Sequence, residues 1–308
     1  MSHSTFLVFP GQGSQHSYML SKSNLLDLAS SNTFHEPIEL LDDLLGCSFM
    51  NLVESEDTAI NDTANTQPIL LFISYLHLYK LLDNLDLDIS FLAGHSLGEY
   101  TALVCSKSIS LIDGLKIVAK RGSLMKNTLN GSMSAILGLD PDIIIEVCKE
   151  ISNNKVQAAN LNSPIQTVIS GDISYLEEIE KILKEKGARK VIRLNVSVAA
   201  HSSLMRDASE EFKKHLNGYD FKQPNHKILH NVDASSCNSI SDLKSKLVKQ
   251  LYMPVQWVNI MKHVNKNMDL IEVGPGKVLS GLAKANNVNS YFSTSSNTFY
   301  DNIDRWQN

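Results

Sequence analysis

One short segment constrains the fold of this chain more than any other. The sequence Gly94-His95-Ser96-Leu97-Gly98 follows the apolar residues Phe91-Leu92-Ala93 and precedes a helical run that starts at Glu99. A G-x-S-x-G sequence between a strand and a helix is typical of a nucleophile elbow, a tight turn in which small neighbours let the backbone fold closely. Such a turn raises the serine hydroxyl above the sheet, and the next helix directs amide N–H groups at a developing oxyanion. Ser96 is therefore a candidate nucleophile.

Short apolar strands and helices alternate through the first third of the chain. Phe6–Phe9 is predicted to be a buried strand, and Pro68–Leu82 a helix with proline at its start. Asp113 is predicted to be the N-cap of the second helix after the elbow, and Leu270–Val273 a further strand. This order predicts an α/β layer with a largely parallel sheet.

The middle of the chain has a different pattern. Strands are predicted at 134–138, 156–160, 167–170 and 190–194, with helices at 140–150 and 173–186. The resulting β-α-β-β-α-β order is ferredoxin-like. We therefore predict an α/β-hydrolase-like catalytic subdomain formed by residues 1–128 and 197–308, into which a smaller ferredoxin-like subdomain, residues 129–196, is inserted.

Composition excludes several classes of function. The formal net charge is −5, so there is no electrostatic footprint for nucleic acid, and no basic block marks a membrane surface. The 4 cysteines are far apart and form no C-x-x-C pair, so neither a zinc site nor a disulfide framework is indicated. The N-terminal residues lack the features of a signal peptide, and the most apolar segment is too short to span a bilayer. We expect a cytoplasmic protein without metal.

A second loop, Gly11-Gln12-Gly13-Ser14-Gln15, follows the first predicted strand. Loops after strands in open α/β sheets border the ligand crevice, and glycines there allow the backbone to approach a ligand closely. The lysine of a phosphate-binding loop is absent. By itself the segment is better explained as a simple tight turn than as a ligand-binding loop.

These two segments belong to a series of motifs that are spread along the chain. They are Phe9–Gln15 (FPGQGSQ), Gly94–Tyr100 (GHSLGEY), Lys120–Met125 (KRGSLM), Asn162–Gly171 (NSPIQTVISG), Val196–Met205 (VSVAAHSSLM), Asn231–Ala234 (NVDA), Gln250–Trp257 (QLYMPVQW) and Glu272–Leu279 (EVGPGKVL). The series resembles the malonyl-CoA:acyl carrier protein transacylase family, which includes the acyltransferase domains of polyketide synthases. The resemblance spans about Phe6 to Ala283.

The resemblance implies a Ser–His dyad, with Ser96 as the nucleophile and His201 as the catalytic base. It also implies an oxyanion hole formed by the main-chain N–H groups of Gln12 and Leu97, and a main-chain carbonyl at Gln250 that orients the histidine. Elementary chemistry agrees, because a serine hydroxyl is a weak nucleophile and needs an adjacent base. The residues alone do not single out His201 among the 10 histidines.

Arg121 matches the family's arginine for the free carboxylate of a malonyl group. A guanidinium can pair with a carboxylate through two parallel hydrogen bonds, which a lysine cannot do. Without the resemblance, an arginine on the second helix after the nucleophile would be taken for a solvated surface residue. Asn160 and Asn162 fall in the segment that lines the family's acyl pocket.

The implied activity is transfer of a malonyl group from malonyl-CoA to the phosphopantetheine thiol of acyl carrier protein, by a ping-pong mechanism through an acyl-Ser96 ester. No cofactor is implied. One alternative is an acyl hydrolase that clears stalled acyl groups from carrier proteins, which Arg121 disfavours. Another is a non-catalytic docking module, which the presence of Ser96 and His201 disfavours. The pathway (fatty acid or polyketide), the cognate carrier protein and the oligomeric state stay open, and Ala200 leaves open whether α-substituted malonyl groups are accepted.

Overall fold

The strands divide between one parallel and one antiparallel sheet. The structure is a computed structural model, and it describes residues 4–128, 130–196, 198–296 and 298–301. Its strands are β1 Ser4–Phe9, β2 Ile89–Gly94, β3 Gly131–Leu137, β4 Val156–Ser163, β5 Gln166–Asp172, β6 Lys190–Arg193, β7 Lys227–Ile228, β8 Met268–Glu272 and β9 Tyr291–Ser293.

The helices carry most of the remaining described residues. They are α1 Met19–Lys22, α2 Leu26–Ala29, α3 His35–Leu45, α4 Phe49–Val53, α5 Thr63–Asn84, α6 Gly98–Cys105, α7 Leu111–Lys126, α8 Pro141–Ser152, α9 Ile173–Glu185, α10 Arg206–Leu216, α11 Ile240–Gln250, α12 Trp257–Met261 and α13 Val278–Ala285. Within the described ranges, no helix combines the length and the apolar character that crossing a membrane requires.

The described residues form two compact units. The first comprises those within 1–122, 219–229 and 264–308, and the second those within 123–218 and 230–263. The predicted subdomain borders rest on residues 129 and 197, which lie outside the described residues. The borders therefore stay a prediction.

The parallel sheet of the first unit has the strand order β7-β2-β1-β8-β9. Its central strand is apolar and fully buried from Phe6 to Phe9, as a parallel strand covered on both faces must be. This strand pairs in parallel with β2, where Phe9 lies opposite Gly94, and with β8, where Val8 lies opposite Glu272. The loops that follow these three strands therefore leave the sheet at the same edge, where open α/β sheets bind their ligands.

The second unit contains an antiparallel sheet with the order β4-β5-β3-β6. Its chain order, β3-α8-β4-β5-α9-β6, confirms the predicted ferredoxin-like pattern. One apolar face of each helix packs against the sheet. This core contains Ile136, Ile144, Val147, Val156, Ile169, Leu176, Ile179 and Leu183.

Two predicted helix starts are wrong. Helix α5 begins at Thr63 rather than Pro68, because the Asp62 carboxylate accepts the Ala64 N–H at 3.0 Å and caps a turn that precedes the proline. Asp113 lies inside the first turn of α7 instead of capping it. The Ser110 hydroxyl accepts the Asp113 N–H at 3.0 Å, so the cap lies three residues earlier.

A buried carboxylate ties the end of β8 to α13. Glu272 accepts the main-chain N–H of Leu279 at 2.9 Å, and both the N–H and the hydroxyl of Ser280, at 2.7 and 2.8 Å. Burial raises the pKa of Glu272, and these donors oppose the rise. The side chain satisfies N–H groups that a helix N-terminus leaves without intrahelical partners.

We expect Glu272→Ala to lower the free energy of unfolding by roughly 2–4 kcal/mol, because it leaves buried N–H groups without an acceptor. Chemical denaturation followed by circular dichroism measures the change. Glu56→Ala removes an exposed carboxylate and is the control, with an expected change within about 0.5 kcal/mol. Equal stability of the two variants would contradict the assigned role of Glu272.

Candidate active site

The turn between β2 and α6 has the geometry of a nucleophile elbow. Ser96 has a φ of 51°, in the left-handed region that non-glycine residues rarely adopt. A Cβ added to Gly94 would lie 1.8 Å from the carbonyl carbon of Gly98, and one added to Gly98 would lie 2.0 Å from the Phe9 oxygen. Both glycines are required because main chain contacts main chain at these positions.

The loop after β1 lies directly against this elbow. A Cβ on Gly11 would lie 2.3 Å from the His95 oxygen, and the His95 N–H donates to the Phe9 oxygen at 3.0 Å. In the described part of the chain, no main-chain carbonyl accepts the N–H of Gln12 or of Leu97. The loop is therefore part of the elbow's surroundings, an assignment that its sequence alone left open.

Arg121 reaches the elbow from α7. Its Nη2 donates to the Ser96 Oγ at 3.1 Å, and its Nη1 donates to the Gln67 Oε1 at 2.8 Å. The side chain is 1 % exposed, and its guanidinium carbon lies 5.4 Å from the centroid of the Tyr100 ring. The structure thus brings together Arg121 and Ser96, which the sequence analysis had singled out separately.

The charge of this guanidinium persists despite its burial. Burial lowers the pKa of Arg121, while the nearby Tyr100 phenol and Glu99 carboxylate raise it. An arginine side chain is so basic that it stays protonated in proteins. A full positive charge therefore lies next to the hydroxyl of Ser96.

Two residues of this site were missed by the sequence analysis. Gln67 is 0 % exposed and holds the guanidinium of Arg121, and Thr63 accepts the Gln12 side-chain N–H at 2.9 Å. Both precede Pro68 and so fell outside the predicted helix. A glutamine that directly precedes an apolar helical run is the sequence feature that could have identified Gln67, whereas no local pattern distinguishes Thr63.

A close helix–helix approach explains how Arg121 and Gln67 meet. A Cβ on Gly122 would lie 2.6 Å from the main-chain oxygen of Thr63. Because residue 122 has no side chain, α7 packs against the first turn of α5. The neighbouring Arg121 is then within hydrogen-bond distance of Gln67.

His201 belongs to the second unit and is 2 % exposed. Its Nδ1 lies 2.6 Å from the main-chain oxygen of Gln250, the carbonyl that the family resemblance had indicated. A carbonyl only accepts, so in the neutral ring Nδ1 carries the proton. Nε2 is then the basic nitrogen.

Asn160 and Asn162 lie on β4 in the second unit. Asn160 forms a parallel bridge with Val255, whose main chain also bonds to both neighbours of Asn160. Asn162 is buried. The Asn160 Oδ1 is buried and has no hydrogen-bond partner among the described residues.

In the ranges that the structure describes, no three or more histidine, cysteine, aspartate and glutamate side chains lie close enough together to hold a metal ion.

Comparison with known proteins places the chain in a family. A family model described as the acyl transferase domain matches residues 5–279. A malonyl CoA-acyl carrier protein transacylase of Staphylococcus aureus is 38 % identical over 291 residues, which cover 91 % of each chain. The crystal structure of FabD from Acinetobacter baumannii has a TM-score of 0.90 at 36 % identity, covering 100 % of this chain and 99 % of that one.

A further similar structure is a complex. It contains a type II PKS acyl-carrier protein in complex with its malonyl-transacylase, and it has a TM-score of 0.86 at 35 % identity, covering 94 % of each chain. The order of the sequence motifs and the geometry of the elbow agree with the match of the family model, which covers most of the sequence. This chain belongs to the malonyl-CoA:acyl carrier protein transacylase family of acyltransferases.

Proposed function

We propose that the protein transfers a malonyl group from malonyl-CoA to the phosphopantetheine thiol of an acyl carrier protein, in fatty acid or polyketide synthesis. The names of its relatives and the carrier-protein complex of a similar structure support this substrate and this partner. The single observation that carries the proposal is the 3.1 Å contact between the Arg121 guanidinium and the Ser96 hydroxyl.

This contact favours an acyl group that bears a carboxylate. In a malonyl ester of Ser96, the free carboxylate is one methylene group beyond the ester carbonyl, and so lies close to Oγ. Gln67 holds the Nη1 side of the guanidinium, and the Nη2 side faces Ser96. A buried guanidinium binds a carboxylate strongly and with a defined orientation.

The proposed reaction proceeds by ping-pong chemistry. His201 Nε2 takes the proton of Ser96 as Oγ bonds to the thioester carbon, and the developing oxyanion is held by the N–H groups of Gln12 and Leu97. The carbon–sulfur bond then breaks, and the CoA thiolate takes the proton from the imidazolium. In the second half, the carrier's thiol gives its proton to His201 and attacks the ester, and Ser96 recovers a proton as the carbon–oxygen bond breaks.

Three further residues have supporting roles in this proposal. The Gln250 carbonyl accepts a hydrogen bond from Nδ1 and so keeps the proton on that nitrogen. Once Nε2 is also protonated, the same hydrogen bond is charge-assisted and stabilises the imidazolium. Asn160 and Asn162 line the acyl pocket.

We expect Ser96→Ala to abolish both acyl-enzyme formation and transfer while the fold is retained, because only one hydroxyl is removed. Intact-protein mass spectrometry after incubation with malonyl-CoA would show a malonyl adduct on the wild type alone. The matched control is Ser17→Ala, at a serine of the same unit outside the elbow, which should still form the adduct. An adduct on Ser96→Ala would overturn the nucleophile assignment.

His201→Ala should lower the rate of transfer by about 10²–10⁴, the usual contribution of a general base. Stopped-flow measurement of CoA release gives the rate of the first half-reaction. His215→Ala, on α10 of the same unit, is the control and should keep the wild-type rate within about twofold. A loss of less than tenfold in His201→Ala would indicate a different base.

Arg121→Ala should remove the preference for malonyl-CoA over acetyl-CoA. The substitution leaves the carboxylate of the bound malonyl group without its partner. Such a loss costs roughly 3–5 kcal/mol, which corresponds to about 10²–10⁴ in kcat/KM for malonyl-CoA. Acetyl-CoA has no free carboxylate, so its kcat/KM should change little. Arg121→Lys should restore only part of the loss, because an ammonium cannot supply two parallel hydrogen bonds.

The control for this comparison is Lys120→Ala, which removes the same charge from an exposed neighbour on α7. Its malonyl-to-acetyl ratio should equal that of the wild type. An unchanged ratio in Arg121→Ala would remove the main physical support for a malonyl donor. Release of free acid from an acylated carrier protein, without transfer of malonyl groups to the carrier thiol, would favour the hydrolase instead.

A further inference from the structure

One side chain of β4 links the two segments that hold His201. The amide nitrogen of Gln157 donates to the main-chain oxygen of His201 at 3.0 Å and to that of Tyr252 at 3.1 Å. A glutamine NH₂ has two hydrogens, and carbonyl oxygens only accept. Both hydrogens are therefore used, and the orientation of the amide is determined.

The two carbonyls belong to segments that already contact each other at the histidine. The His201 N–H donates to the Leu251 oxygen at 2.9 Å, and its Nδ1 lies 2.6 Å from the Gln250 oxygen. Gln157 adds a third connection at the next residue, Tyr252. The segment that carries the imidazole and the segment that orients it are thus held by one side chain.

His201 needs such support because its backbone is strained. Its φ is 59°, a left-handed conformation that costs a non-glycine residue of the order of 1 kcal/mol and persists only where surrounding contacts impose it. The carbonyl that Gln157 holds is part of the peptide directly after this residue. A change of φ at His201 moves its carbonyl relative to its N–H, so the bond from Gln157 to the carbonyl and the bond of the N–H to Leu251 together restrain this torsion. Without the first bond His201 could relax to negative φ, and the imidazole would move away from Gln250.

The hydrogen bonds that hold His201 come from two kinds of group, main chain and side chain. Leu251 and Gln250 act through main-chain oxygens, which a substitution does not remove, whereas Gln157 acts through its side chain. We propose that Gln157 is a positioning residue for His201, which keeps Nδ1 on the Gln250 carbonyl and Nε2 oriented to accept the proton. This inference rests on the proposed function, in which His201 is the base.

The test is a double-mutant cycle on the acylation half-reaction with malonyl-CoA. Gln157→Leu removes both donors, and Gln157→Met does so with an unbranched side chain of similar length. The matched control is Gln166→Leu, at another half-buried glutamine of the same sheet, paired with Ser163. Each variant is made with His201 present and with His201→Ala, and circular dichroism checks that it is folded.

We expect Gln157→Leu and Gln157→Met to lower kcat by roughly 10–10²-fold, the size expected for a misplaced catalytic group, with KM for malonyl-CoA within about twofold of the wild type. In the His201→Ala background the same substitutions should have no further effect, because their consequence passes through the imidazole. Gln166→Leu should leave kcat unchanged in both backgrounds.

Three outcomes would overturn the inference: an unchanged kcat in both Gln157 variants, an effect on KM alone, or an equal loss with and without His201. The last would indicate a general structural role. Failure of the proposed function is recognised separately, because His201→Ala alone would then retain the wild-type rate of acylation. If Gln157→Leu does not fold, Gln157→Met decides the same comparison.

Discussion

Direct contact between main chains at the edge of the parallel sheet is the constraint on which the site depends. The positions of Gly94 and Gly98 leave no room for a Cβ, because the end of β2, the start of α6 and the end of β1 meet there. This contact imposes the left-handed backbone of Ser96 and also brings the loop after β1 against the elbow. The strain at the serine is thus held by packing of secondary structure whose residues next to the turn are buried.

A buried positive charge is the second costly feature of this unit. Desolvation of a guanidinium is unfavourable unless polar groups and a counter-charge offset it. Gln67, the Tyr100 ring and the nearby Glu99 carboxylate contribute to that offset, and Gln67 binds the Nη1 side, so that the Nη2 side faces Ser96. In the proposed reaction, the carboxylate of the substrate completes the compensation, so that the same residue provides both affinity and selectivity.

The second unit holds its histidine differently, mainly through main-chain oxygens. The carbonyls of Gln250 and Leu251 bind the imidazole and the peptide of His201, and strand β4 contributes the amide of Gln157. Carbonyl oxygens do not titrate, so the tautomer that they favour in the neutral ring does not depend on the protonation of a neighbouring side chain. This arrangement needs no acidic third residue to orient the ring.

The sequence by itself determined the class of fold and the candidate nucleophile, because those depend on local patterns. Apolar runs, glycines around Ser96 and the β-α-β-β-α-β order are all readable over short spans, and the ordered motifs identified the family. Other features were decided only by tertiary structure. Ser110 rather than Asp113 caps α7, and the start of α5 depends on the Asp62 cap, since competing caps are separated by small energies. The contacts of Arg121 with Gln67, and of Gln157 with His201, join residues far apart in the chain, and no local pattern specifies which buried polar groups will meet once the helices and strands have packed.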